Sequence, residues 1–138
     1  MADSTDILTR YMAAINAHDA GAIQELISPD SRLVDATGVE IMGATALNDA
    51  WQAYFAMIPD YCIRPERYLT SPGGWVAVFG RAGGSYAMGG VLVPDSEWQI
   101  PFAALARLQN ERVAEWRIFC DNEPLRRIMG FTSGEASS

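Results

Sequence analysis

The chain has 138 residues, a length that suits one domain rather than two. Apolar residues make up 49 % and charged residues 20 %, the profile of a chain that packs a core and not of a disordered or collagen-like one. Seventeen acidic residues against ten basic give a net charge of −7, which argues against nucleic acid or an anionic membrane surface as a partner.

In chain order, Ile7, Leu8, Tyr11, Met12 and Ile15 fall on one face of a helix running from Ser4 to Ala17, with Asp3 or Ser4 able to cap its start. Asp19 is a natural cap for a short second helix carrying Ile23, Leu26 and Ile27, which Ser28-Pro29-Asp30 ends. His18, among polar neighbours at a helix end, reads as a solvated capping residue. Arg32-Leu33-Val34-Asp35 alternates and stops at Thr37-Gly38, as a short strand does. A third helix is predicted from Ala44 to Ile58, with Leu47, Trp51, Tyr54, Phe55 and Ile58 as its apolar stripe and Pro59 preventing continuation.

The remainder reads as strands over 61–70, 75–83, 98–108 and 113–120. The first two are joined by Ser71-Pro72-Gly73-Gly74 and the last two by Asn110-Glu111. The glycine-rich stretch 83–90 lacks the lysine and helix start of a phosphate loop and is expected to be a flexible hairpin connection, placed to act as a lid. Leu125, Ile128 and Met129 suit one last amphipathic turn, and residues 132–138 a disordered tail after a single domain spanning 1–131. Helices first and strands after them indicate an α+β fold, with helices on one face of a curved, mostly antiparallel sheet.

All ten basic residues are arginine, which removes Schiff-base chemistry, since that needs a lysine amine. One histidine and two cysteines, Cys62 and Cys120, argue against metal clusters, disulfide frameworks and histidine-based triads; no cofactor is expected, and each cysteine reads as a small buried hydrophobe. Carboxylates and tyrosines are left for acid–base work. No apolar run approaches the roughly 20 residues of a membrane span, and the first six residues are acidic where a secretory leader is basic, so a cytoplasmic protein is expected.

The stretch 10–19, Leu26, Pro29-Asp30, Leu33-Val34-Asp35, Gly38, Gly43 and Trp116-Arg117-Ile118-Phe119-Cys120-Asp121 together resemble the SnoaL-like and ketosteroid-isomerase-like branch of the nuclear transport factor 2 superfamily. The resemblance implies a cone in which three N-terminal helices close a strongly curved sheet around an apolar cavity, and a homodimer formed through the outer face of the sheet. It also implies roles. Tyr11 matches the isomerase tyrosine that donates to the substrate carbonyl, and Asp35 its proton-abstracting aspartate. The matching strand, 101–105, offers only alanine where that family keeps a protonated aspartic acid. Asp121 matches the acid–base aspartate of SnoaL-like cyclases and the water-activating aspartate of limonene-epoxide hydrolase. Arg81 resembles that hydrolase's arginine, although Gly83 stands where its partner aspartate should be.

Asp35, Asp121 and Tyr11 are therefore the candidate catalytic groups. A carboxylate inside an apolar hollow is expected to have its pKa raised toward neutrality, where it can take and return a proton. Both aspartates also read as ordinary turn and helix-cap residues, and Tyr11 as a core tyrosine. Trp51, Tyr54, Met57, Trp98, Phe102, Trp116 and Phe119 are numerous enough to line a pocket for a small apolar substrate, and Arg81 reads either as pointing inward toward a carboxylate or substrate oxygen or as one half of a surface salt bridge. The expected activity is a cofactor-independent isomerase or cyclase on a carbonyl-bearing, polyketide- or terpenoid-like substrate. A noncatalytic binding or dimerisation module and an atypical epoxide hydrolase are the alternatives.

Overall fold

A computed structural model describes residues 3–133, the side chains as far as Gly130. Helix α1 spans Ser4–Asn16 and buries Ile7, Leu8, Tyr11, Met12, Ala14 and Ile15, the stripe expected from spacing plus one alanine. Asp3 occupies the N-cap position without capping the backbone; its carboxylate accepts from the Thr5 hydroxyl instead. Helix α2 is Ala20–Leu26, and here Asp19 does cap, accepting from the Ala22 amide at 3.0 Å. His18, between the two helices, has a positive φ of 56°, stacks on Phe55 and bonds through Nε2 to the Tyr61 carbonyl. It is half-buried and joins three elements, rather than the solvated cap expected from its polar neighbours.

Strand β1, Ile27–Val34, begins earlier than its alternating pattern suggested, because Ser28-Pro29-Asp30 is an irregular stretch of strand and not a turn. A three-residue strand β2, Glu40–Met42, returns alongside it, and Gly43, at φ 95°, admits helix α3, Ala44–Met57. Four strands follow: β3 (Cys62–Ser71), β4 (Trp75–Met88), β5 (Val91–Gln109) and β6 (Arg112–Cys120). Helix α4, Glu123–Ser133, is longer than the single turn expected; the rest of the expected tail, 134–138, lies outside the described residues.

The strands form one sheet in the order β2-β1-β6-β5-β4-β3, antiparallel except where β1 runs parallel to β6. The sheet curls without closing, and the helices pack on its concave side, where the core lies. No helix among the described residues is long and apolar enough to cross a membrane.

The glycine-rich stretch is not a loose connection. Residues 83–88 are strand, and only Gly89-Gly90, both at positive φ, make the turn to β5. Gly83 and Gly84 are needed because a Cβ would lie 2.6 Å from the Trp98 carbonyl oxygen at one and 2.5 Å from the Ile58 side chain at the other. Close approach, not flexibility, explains them.

Candidate functional site

Alternation along the strands decides which side chains reach the concave face. On β5, Trp98, Ile100, Phe102, Ala104 and Ala106 are buried, and the residues between them are wholly or partly exposed. On β6, Trp116, Ile118 and Cys120 share the inward parity. Together with Trp51 and Tyr54 from α3, and Tyr61 and Ile63 at the start of β3, they line a cavity of about 240 Å³. Half-exposed Asp35, Ala36 and Asn122 lie at its rim.

Aromatic rings form a continuous belt around it. The Trp116 ring lies 5.0 Å from Tyr11, whose phenolic oxygen accepts from the Trp51 indole N–H. Trp51 meets Tyr54 edge-on at 6.3 Å, Tyr54 meets Tyr61 at 4.8 Å, and Tyr61 reaches Trp98 at 6.1 Å. Burial pushes the Tyr11, Tyr54 and Tyr61 hydroxyls well above the usual phenol range, so all three are neutral at physiological pH. Burial, then the neighbouring Asp121 and Asp35 carboxylates, also raises the Cys120 thiol, which donates to the Asn122 side-chain oxygen at 3.1 Å.

Asp35 is the one carboxylate on the lining. It follows β1 and closes the turn to β2, where its Oδ1 accepts from the Thr37 hydroxyl at 2.6 Å, the Thr37 amide at 2.8 Å and the Val39 amide at 3.0 Å. Partial burial alone would raise its pKa, but the hydroxyl and amide of Thr37 and the amides of Val39 and Gly38 outweigh it and hold the group below the ordinary carboxylate value. The expected rise toward neutrality does not occur here, because the turn supplies more donors than the cavity removes water.

Of the other sequence candidates, Trp51, Tyr54, Trp98, Phe102 and Trp116 line the cavity, and five residues lie off the lining, Met57 among them. Asp121 is exposed outside it, with Oδ1 accepting from the Glu123 amide at the start of α4, the capping role that its sequence context also allowed. Tyr11 is fully buried behind the lining, its hydroxyl occupied by Trp51. Arg81 and Phe119 have the outward parity: Arg81 is exposed and lies 3.7 Å from Glu66, and Phe119 is 53 % exposed. The arginine and aspartate that an epoxide-hydrolase likeness relies on are thus both outside the cavity. Tyr61, Cys120 and Asn122 were missed; the first two stand two residues before Ile63 and two after Ile118, so strand parity was the signal that would have found them.

The SnoaL-like domain family matches residues 8–116, most of the chain. The chain belongs to this family. A search of the curated proteins returned no match. Solved structures similar to this chain include a protein with a ketosteroid-isomerase-like fold from Catenulispora acidiphila in complex with trimethylamine, at 20 % identity over 90 % of this chain and 92 % of that one, with a TM-score of 0.78. A candidate SnoaL-like polyketide cyclase from Shewanella putrefaciens is 17 % identical over 95 % and 88 % of the two chains, with a TM-score of 0.78. IdmH, a candidate polyketide cyclase from Streptomyces antibioticus, is 21 % identical over 94 % and 99 %, with a TM-score of 0.77. These likenesses establish the NTF2-like fold of this SnoaL-like chain, and the fold is one that serves isomerases and cyclases.

Proposed function

We propose that this chain is a cofactor-independent isomerase or cyclase in which Asp35 removes and returns a proton on an apolar, carbonyl-bearing guest. The observation that carries the reading is a lone carboxylate on the wall of an otherwise apolar and aromatic cavity. A carboxylate held below its ordinary pKa is ionised at neutral pH and ready to accept a proton, but it is a weak base. It therefore suits a carbon acid already activated, such as a methylene between two carbonyls, as in polyketide-like substrates. The Tyr54 and Tyr61 phenols, neutral and next to one another, are placed to donate to the enolate oxygen as charge develops.

The test is Asp35→Asn, assayed for cyclisation or proton exchange on a panel of β-dicarbonyl compounds. Loss of turnover with ligand binding retained supports the assignment. Undiminished turnover sinks it. Asp121 and Tyr11 lie off the cavity, which favours one second reading, a noncatalytic binding module; binding without any Asp35-dependent proton exchange in the panel would select it.

We also propose a homodimer through the outer face of the sheet. Phe79, Ala103 and Phe119 stand in one cross-strand row on β4, β5 and β6, and both phenylalanines are exposed. Sedimentation should give a dimer mass for the native chain and a monomer for Phe119→Glu; a monomeric native chain would refute it.

A further inference from the structure

Three charged side chains stand behind the Asp35 turn, on the face of the sheet turned away from the cavity. Leu33 and Asp35 line the cavity, so Arg32 beside them on β1 faces outward. By the same alternation Glu40 faces outward next to Ile41 on β2, and Glu115 next to Trp116 on β6. Arg32 stands opposite Met42 on one side and Glu115 on the other, which puts its guanidinium between two neighbouring strands. It bonds to both. Nη1 lies 2.8 Å from Glu40 Oε1, and Nη2 donates to Glu115 Oε1 at 3.0 Å.

The two ends of this bridge are unequal. Glu115 is 6 % exposed and has a second arginine, Arg117, at 3.5 Å from its other oxygen, whereas the Glu40 side chain is 45 % exposed. Pulling a buried carboxylate from its partners leaves a charge without water, so Glu115 is the anchor. Glu40 is the loose end. Among the described residues its side chain bonds to Arg32 alone.

What Glu40 adjoins is the site itself. Its chain neighbour Val39 donates its amide to Asp35 Oδ1 at 3.0 Å, and the Val39 carbonyl accepts from the Asp35 amide at 3.0 Å. Strand β2 has three residues and one partner strand, and a ladder that short holds poorly by itself.

We propose that Arg32 is a positioning residue: by clasping Glu40 to Glu115 across three strands, it holds the turn in which Asp35 meets its donors. The consequence for turnover rests on Asp35 being the base, as proposed above; the clasp does not.

The experiment follows amide hydrogen exchange in the full chain by NMR. Glu40→Gln cuts the outer half of the clasp and leaves Arg32 on Glu115, so it strands no buried charge. Exchange at the Thr37 and Val39 amides should become about twofold to fivefold faster in this variant, the factor for one partly exposed ion pair, with the β5 amides unchanged. The Asp35 carboxyl should titrate at higher pH as its donors loosen, while the other titratable groups near it, Cys120 on β6 and Asp121 just beyond, keep their places. On the β-dicarbonyl panel kcat should fall with KM unchanged, because the rings that bind the guest are not touched. Arg32→Lys, which keeps the charge but lacks the fork that spans two carboxylates, should behave like Glu40→Gln. If a variant fails to fold, salt at about 1 M added to the native chain screens the pair and should speed the same two amides relative to β5.

Unchanged exchange at Thr37 and Val39 in the variants and in salt, or an acceleration that includes β5 equally, would overturn the clasp. Faster exchange with undiminished kcat, where Asp35→Asn is inactive, would overturn the positioning role. Faster exchange with an active Asp35→Asn variant would instead overturn the base and leave the clasp standing.

Discussion

Replacing Thr37 by valine isolates the force that keeps Asp35 ionised. The Thr37 hydroxyl is 2.6 Å from Asp35 Oδ1, the shortest of three bonds to that oxygen, and valine removes it without altering the backbone amides. A hydrogen bond to a charged acceptor contributes about 1.5–3 kcal/mol when shielded. Asp35 is half-exposed, so water substitutes for much of the lost donor and about 0.5–1 kcal/mol is the fair expectation. Loss of this donor should move the Asp35 pKa upward, with Thr37→Ser restoring the native value. The sign for stability follows from linkage: the folded pKa lies below the ordinary 3.8, so the contribution is complete above that value and is lost as pH falls through the folded pKa. The valine variant should accordingly be less stable than the native chain at neutral pH, and the gap should close in acid. Titration of the Asp35 carboxyl carbon by NMR reads the shift directly. An unmoved pKa in the valine variant, or an equal shift in the serine variant, would show that the hydroxyl does not hold the carboxylate.

Three further outcomes concern the frame around the site. A Cβ on Gly80 would lie 2.1 Å from the Arg64 carbonyl oxygen and 2.9 Å from the Pro65 Cα, so Gly80→Ala should lower the urea-derived stability by about 3 kcal/mol or more, since neither neighbour is a movable side-chain end. Gly21→Ala, on a helix where the added methyl meets only Asp19 Oδ1 at 3.5 Å, should raise it by about 0.5–1 kcal/mol in the same assay. Tyr11→Phe strands the Trp51 N–H and should cost about 1–2 kcal/mol of stability while leaving turnover of the β-dicarbonyl panel unchanged; the reverse pattern would return Tyr11 to the site.

Periodicity made the three N-terminal helices readable, because their apolar residues face a single core: Ile7, Leu8, Tyr11, Met12 and Ile15 on α1 are all buried as spaced. The family was readable from short stretches such as the run 10–19 and Leu33-Val34-Asp35, both inside the matched residues 8–116. What composition and motif matching could not supply was the phase of each strand. Arg81 and Phe119 looked like site residues by chemistry, yet each differs by one position from an inward neighbour, Ala82 and Cys120, and that step sends a side chain to the other face. Asp121 fails for a related reason: it comes just after β6 ends, where its carboxylate serves the Glu123 amide. The Asp35 pKa was beyond sequence reasoning because its direction is set by donors on Thr37, Gly38 and Val39 that only the folded turn brings together. The glycine-rich stretch misled because glycine marks both flexible turns and close backbone crossings, and only the neighbours at 2.5 and 2.6 Å tell them apart.

Strand β2 is three residues long, forms one border of the sheet and has β1 as its single strand partner. Such a border is where native-state opening begins, at a small fraction of the free energy of global unfolding. Asp35 lies in the turn that this border closes, so its amide and those of Thr37 and Val39 should exchange hydrogen with solvent far sooner than those of β5. Under the proposed function, the Asp35 end of the molecule should therefore open ahead of the belt of rings behind it, and slower exchange at the Thr37 and Val39 amides than along β5 would refute this.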